Sequence, residues 1–344
     1  MSLCTNLPKI FFIKDIIDPQ AYTNIVKYDY DFSIAKKLTV CDNKKMEKYK
    51  KLGEGSFGVA RLISFNDKSY VYKFINTHYY NDSIENACGE LLMNIFLNIH
   101  FVFNQLTPNI VTYYGHNLCK NGYSFLIESC DMDLFDMQQN IKDKKEIEKV
   151  LIQIILTLGI IQSYYPDFRH NDLRNDNVLV KKLKQETNLY YYFNNKYYKI
   201  KTKYIGKIHD HGFSSIKSKP LLNNEFISDN NLSYVNITTK ANKSFDIFML
   251  LDTYFQNGGT VFSNSIKKFI NNNGKSKKNS QYQKHNKAYE ILTPTFLMQF
   301  FSKYEINKNE IPKNSHIYGI KNNKIKVNKN LKKVSGHTII KDLK

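Results

Sequence analysis

The sequence predicts an α+β protein: a mostly antiparallel sheet with one helix, followed by a larger and mostly helical part. Three observations support this. Residues 49–75 read as strands broken by turns: Lys51-Leu52 enters Gly53-Glu54-Gly55-Ser56-Phe57-Gly58, and Val59 to Ile63 leaves it. Asn66-Asp67-Lys68-Ser69 reads as a hairpin turn, after which Tyr70 to Ile75 alternates as a half-buried strand. Next, Ile84, Ala87, Cys88, Leu91, Leu92, Ile95 and Ile99 recur at helical spacing behind the capping residues Asn81-Asp82-Ser83. Finally, the second half carries three apolar stretches of helical character: Glu146 to Tyr164, Ser244 to Leu251, and Thr293 through Phe301.

The flanks are less regular. Residues 1–46 show no motif and read as an extension packing on the domain. Ser124-Phe125-Leu126-Ile127-Glu128 reads as a strand, with Cys130 to Asp136 as a linker after it. Between Leu183 and Lys203 lies a Tyr/Asn/Lys-rich insert, expected as a hairpin with Tyr190 to Phe193 and Tyr197 to Ile200 around Asn194-Asn195. Residues 271–285 form a polar loop. The segment 303–344 is lysine-rich with few apolar positions and is expected to be mobile or only partly ordered.

Composition narrows the function classes. The 344 residues carry a formal charge of +19, yet only Arg61, Arg169 and Arg174 are arginines. Abundant Lys, Asn, Ile and Tyr is what an A/T-rich coding sequence gives, which is the plainer reading of the charge. The other is an anionic partner: nucleic acid, membrane or acidic protein. No zinc-finger, RNP or helix-turn-helix signature accompanies the charge, so specific nucleic-acid binding is not predicted. Cys4, Cys41, Cys88, Cys119 and Cys130 are odd in number and lack C-x-x-C spacing, which points to a reducing, cytoplasmic setting without a zinc site. No signal peptide is apparent. The longest apolar stretch, Val150 to Ile161, is too short to span a bilayer.

The chemistry concentrates at Arg169-His170-Asn171-Asp172-Leu173-Arg174-Asn175-Asp176-Asn177, followed by the apolar Val178-Leu179-Val180. A carboxylate and a carboxamide five residues apart suit two tasks. Asp172 can orient a hydroxyl and accept its proton, and Asn177 can hold a metal ion bound to phosphate. The glycines at 53, 55 and 58 let backbone N–H groups approach phosphate oxygens. A Walker A loop is absent, because Phe269 stands where Gly274-Lys275-Ser276 would need a glycine.

With Lys73 two residues past Val71, Asp172 and Asn177 in H-x-D-L-x-x-x-N, and Asp210-His211-Gly212 downstream, the set resembles the protein kinase superfamily from Leu52 to about Phe301. The resemblance implies a bilobal fold with ATP and Mg²⁺ in the cleft: residues 47–302, divided at 128/129 into a small and a large lobe. It implies Asp172 as base, Arg174 at the γ-phosphate, and Lys73 at the α/β-phosphates. Glu90 is the favoured ionic partner of Lys73, ahead of Glu85. Leu52, Gly53, Glu54, Gly55, Ser56, Phe57, Gly58, Val59 and Ala60 would cover the nucleotide, Glu128 and Cys130 would meet it at the hinge, and Asn177 and Asp210 would hold the metal. His170 would support the loop from the core, and Asp246 would brace it from the helix below.

Several positions depart from the family pattern. Ala60 replaces the usual Val, His211 the Phe of D-F-G, and Asn171 the Arg of H-R-D; no A-P-E follows. That Arg ordinarily pairs with an activation-segment phosphate, so constitutive or partner-controlled activity is expected. The narrower resemblance is to poxvirus-type serine/threonine kinases of virion assembly. It implies viral structural and membrane proteins as substrates, in host cytoplasm or virion. Two rivals remain. A choline/aminoglycoside-type small-molecule kinase fits Asn171 but not the glycine run or Thr107 to Val111. A pseudokinase scaffold fits His211 and Asn171 but not the intact Lys73, Asp172, Asn177 and Asp210. The basic tail could also meet anionic lipid.

Overall fold

A computed structural model describes residues 10–12, 41, 46–55, 58–65, 68–76, 89–219, 242–260, 266, 268 and 292–320. They fall into two compact units. Of the described residues, one unit holds those up to Asn104 and Val111–Ser129; the other holds Gln105–Ile110 and those from Cys130 onward. The caps at 81–83, the helical residues 84–88, the loop 271–285 and the tail from 321 lie outside the described residues.

The first unit is built on an antiparallel sheet of β1 (Ile10–Phe12), β2 (Lys50–Gly55), β3 (Gly58–Phe65), β4 (Lys68–Asn76), β5 (Tyr113–Cys119) and β6 (Gly122–Glu128), in the order β1-β5-β6-β4-β3-β2. The strands 49–75 form as their alternation predicts, with Phe65 opposite Lys68 across the hairpin. The N-terminal extension contributes an edge strand, Ile10 to Phe12 pairing Asn117 to Gly115. Helix α1 (Gly89–Leu97) follows β4, and its described residues are buried throughout. It widens into a π turn at Asn98–Val102. There the Asn98 carboxamide donates to the Asn94 and Val111 carbonyls and accepts from Tyr113 N–H, tying the helix end to β5. One pairing lies outside what the cysteine pattern predicts. Cys41 and Cys119 form a disulfide, Cα atoms 5.3 Å apart across 78 residues of sequence, a proximity that no local spacing reveals.

The second unit is organised by α3 (Lys144–Tyr164), whose run from Val150 to Ile161 is buried without interruption. Among the described residues this is the one helix long and apolar enough to cross a membrane, and here it is a core helix. Against it packs a hairpin of β9 (Val178–Phe193) and β10 (Lys196–Ile208). The expected hairpin is present and its turn is as predicted. Asn194 and Asn195 both adopt left-handed backbone, φ 50° and 61°, the geometry of a two-residue turn that Asn tolerates.

The insert is nevertheless not a separate unit. One ladder runs from Val178↔Ile208 out to Phe193↔Lys196, interrupted where Leu183 to Glu186 loops out between Lys182↔Tyr204 and Thr187↔Thr202. Charged residues at 181–186 and 199–203 hide this continuity, because the alternation is disguised by lysines on the exposed face.

The tail expectation is narrowed to the residues beyond 320. Residues 303–320 fold onto the hairpin, with β12 (Glu305–Ile306) pairing Tyr197–Tyr198 and β13 (Ile317–Tyr318) running parallel to Tyr190–Tyr191. Tyr304 Oη donates to Glu148 at 2.7 Å, and His316 Nε2 meets the Gln105 carbonyl at 2.7 Å. These few specific contacts hold a segment whose composition reads as solvated.

A buried carboxamide ties this unit together. Asn109 donates to Gln153 Oε1 (2.9 Å) and the Gly206 carbonyl (2.7 Å), while its Oδ1 accepts from Tyr191 Oη (2.8 Å) and Thr157 Oγ1 (3.2 Å). One side chain thereby links the 105–110 segment, α3 and both hairpin strands, and a satisfied buried network of this kind specifies a single packing.

Candidate active site

In the first unit, β4 places Lys73 opposite Ala60 of β3 and Phe125 of β6. Its Nζ lies 2.7 Å from Glu90 Oε1, in the first turn of α1, and 5.6 Å from the Phe125 ring centroid. The two side chains are only 19% and 6% exposed. Truncating one partner of such a pair leaves an uncompensated buried charge, at a cost of about 3–5 kcal/mol. Glu90 is therefore the partner, as favoured; Glu85 lies outside the described residues.

The glycine turn divides into two roles. A Cβ at Gly53 would meet nothing within 4 Å, so Gly53 leaves its backbone open to a ligand. A Cβ at Gly58 would lie 2.0 Å from the Phe74 carbonyl, so that glycine is required by the sheet itself. Leu52 is exposed at the mouth of the turn and Val59 and Ala60 are half-buried; Ser56 and Phe57 lie outside the described residues. One expectation is narrowed. The buried Glu128 carboxylate accepts from Thr112 Oγ1 (3.0 Å) and Thr112 N–H (3.3 Å), so its side chain is directed into the protein. A cofactor role at Glu128 does not extend to that carboxylate.

In the second unit, β8 (Phe168–Arg169) pairs with β11 (Ser215–Ile216) and opens the loop that carries Asp172. The loop is held from below by α4 (Phe245–Gln256). Asp246, fully buried, accepts from His170 N–H (2.8 Å) and Asn171 N–H (2.9 Å), which is the bracing expected of it. Asn171 adopts φ 68°, and its Nδ2 donates to the Phe213 carbonyl (2.8 Å) and Ser215 Oγ (3.1 Å). His170 is buried and its Nε2 meets the His209 carbonyl at 2.9 Å, confirming a supporting place in the core. His211, in the position of the family's Phe, meets the His170 ring at a tilt, centroids 5.1 Å apart, and meets Ser214 Oγ at 3.1 Å. The contact between the two loops is kept, but it is polar.

The candidate reacting groups sit on this frame. Asn177 Nδ2 donates to the Asp172 carbonyl (2.6 Å) and carboxylate (3.0 Å). With the amide nitrogen so engaged, the Asn177 oxygen is the atom suited to a cation. Asp210 follows β10 with left-handed backbone, φ 60°. No group of three or more acidic, His or Cys side chains among the described residues is placed to hold a metal ion by itself. One carboxylate and one carboxamide fit a hard divalent ion that takes its remaining ligands from phosphate and water. Arg174 pairs with Asp172 Oδ1 (3.3 Å) and Asp176 Oδ2 (3.0 Å). Burial raises the Asp172 pKa above the ordinary carboxylate value, aided by Asp210 and Asp176 and opposed by Arg174 and His170.

Sequence reasoning did not find the Arg169 guanidinium 3.9 Å over the Phe245 ring, nor the Asn175–Gln138 bond (2.7 Å), which fix the loop's flanks. Arg169 precedes the motif and Asn175 fills one of its unspecified positions, and both partners come from distant segments.

Residues 46–250 match the model of the protein kinase domain. The chain belongs to the protein kinase family. Membership implies ATP, a divalent metal and protein acceptors. A serine/threonine-protein kinase of Acanthamoeba polyphaga mimivirus is 31% identical over 183 residues, covering 47% of this chain and 46% of the relative. A second mimivirus serine/threonine-protein kinase is 25% identical, covering 52% and 31%. The serine/threonine-protein kinase pakH of Dictyostelium discoideum is 29% identical, covering 48% and 31%. The kinase thus spans less than half the length of these relatives.

Proposed function

We propose that this kinase transfers the γ-phosphate of Mg·ATP to serine or threonine hydroxyls of proteins. The observation that carries the reading is the locked pair Asp172–Asn177, hydrogen-bonded at 3.0 Å on a loop braced by buried Asp246. Asp172 orients the acceptor hydroxyl and takes its proton as oxygen bonds to the γ-phosphorus and the bond to the β-phosphate oxygen breaks. The Lys73 ammonium, fixed by Glu90, serves the α- and β-phosphates. Arg174 would leave Asp172 for the transferring phosphoryl group. Mg²⁺, which neutralises phosphate charge, would be held by Asn177 Oδ1 and Asp210.

The test is phosphate transfer from labelled ATP to casein and to choline. Wild type should label serine and threonine in casein, with Asp172→Ala and Lys73→Met at least about a hundredfold slower. Equal background in wild type and Asp172→Ala would support a scaffold instead, and labelling of choline a small-molecule kinase.

We further propose a viral setting, with action on structural or membrane proteins during particle assembly in host cytoplasm. The mimivirus relatives and the poxvirus-like catalytic run support it. Failure to detect the chain in infected cytoplasm or purified particles would end that proposal.

A further inference from the structure

The hairpin carries chemistry that phosphate transfer does not use. Residues 178–208 contain eight lysines and a single acidic residue, Glu186. Along β10 the side chains alternate: Tyr198, Ile200, Thr202 and Tyr204 are buried, while Lys199, Lys201 and Lys203 occupy the intervening positions. The buried row faces α3, where Thr202 Oγ1 donates to Glu146 at 2.9 Å. The lysines therefore stand on the opposite face, at successive outward positions about 7 Å apart. Across the ladder, Asn188 lies opposite Lys201 and Tyr190 opposite Lys199, while Tyr192 and Tyr197 form a ring pair at 4.9 Å.

The row meets a single carboxylate among the described residues: Glu186 pairs with Lys201 at 2.8 Å and also feels Lys203, and Lys201 remains 65% exposed. Packing does not demand lysine at three outward positions, where Thr or Tyr would suit a strand better. A row of like charges is self-repelling, and an anionic partner relieves that repulsion.

We propose that Lys199, Lys201 and Lys203 form a docking surface for an extended Asp/Glu-rich polypeptide segment. On the kinase reading above, this is an acidic stretch of a protein substrate. An extended peptide repeats alternate side chains at the same period of about 7 Å, so carboxylates at every second residue fall opposite the three lysines. The site lacks the stacking platform of a single-strand nucleic-acid surface, because Tyr192 and Tyr197 are turned against each other. It also lacks the apolar side chains that enter a bilayer. Among the described residues, the exposed large apolar ones, Leu52, Phe135, Tyr164 and Phe300, all lie off the hairpin.

The test uses the full chain and a fluorescent peptide with Glu at every second position, read by anisotropy, which requires no catalysis. The triple variant Lys199→Ala/Lys201→Ala/Lys203→Ala should bind about tenfold more weakly, equivalent to about 1.4 kcal/mol. High salt should weaken wild type far more than this variant. The corresponding triple Arg variant should bind as wild type does, and thermal melting should be unchanged in both. Phosphate transfer to a neutral peptide should be unaffected by the Ala variant. A wild type that discriminates the acidic peptide yet transfers no phosphate would sink the kinase reading and leave the docking surface standing. Equal affinity of wild type and the Ala variant would overturn the docking surface. So would tighter, row-dependent binding of oligothymidylate of equal charge or of phosphatidylserine vesicles.

Discussion

Asn171 is where the loop carrying the proposed base meets the segment after Asp210, and its substitution tests that junction. Replacement by Ala removes the donors to the Phe213 carbonyl and Ser215 Oγ, each worth about 0.5–1.5 kcal/mol. It also forces a Cβ-bearing residue without a local polar partner to hold φ 68°, at roughly 1–2 kcal/mol more. Replacement by Gly loses the hydrogen bonds but accepts the backbone. Local opening of the β8–β11 pair should therefore become easier by roughly 2–5 kcal/mol in Asn171→Ala and roughly 1–3 kcal/mol in Asn171→Gly.

Hydrogen-exchange mass spectrometry of peptides spanning 168–169 and 213–216 reads this directly. A loss of about 2 kcal/mol accelerates exchange about thirtyfold without requiring global two-state unfolding. Wild-type protection in both variants, or greater loss in Gly than in Ala, would refute the argument. Because this tie is uncharged, phosphatase treatment should leave phosphate transfer unchanged. A large loss after treatment would show that a phosphate on the segment does the holding.

Two further outcomes are expected. The Arg174 guanidinium holds the Asp172 pKa down against burial, so Arg174→Met raises it further. Since the base must be ionised, the acid limb of the kcat/KM profile, which reports the free enzyme, should move to higher pH in that variant; no shift, or a shift to lower pH, would show that Arg174 does not hold Asp172 in the free enzyme. Gly319 has φ 89°, and a Cβ there would lie 2.1 Å from the Tyr192 carbonyl, so Gly319→Ala should release β13 from β9. Trypsin should then cut at Lys313 faster than in wild type, and an unchanged rate would mean that 303–320 is not held as described.

Much of the site was legible because its residues work at short range. His170 to Asn177 carries its own chemistry in eight consecutive positions, and Gly53 to Gly58 announces a turn by the absence of Cβ atoms. The strands 49–75 and the helix 146–164 were equally readable, since alternation and helical spacing are local consequences of burying one face. Residues whose value depends on distant partners were not. Nothing beside Asn109 in the chain shows that it joins α3 to a hairpin, and nothing near Cys41 points to Cys119. Lysines at 199, 201 and 203 look like ordinary solvated charge until the ladder sets them on one face. The sequence by itself determined which groups could do phosphate chemistry, because those roles follow from side-chain type and short spacing. The tertiary structure alone decided that Cys41 pairs with Cys119, that Asn171 holds the segment beyond Asp210, and that 303–320 folds onto the hairpin, because each is a meeting of groups far apart along the chain.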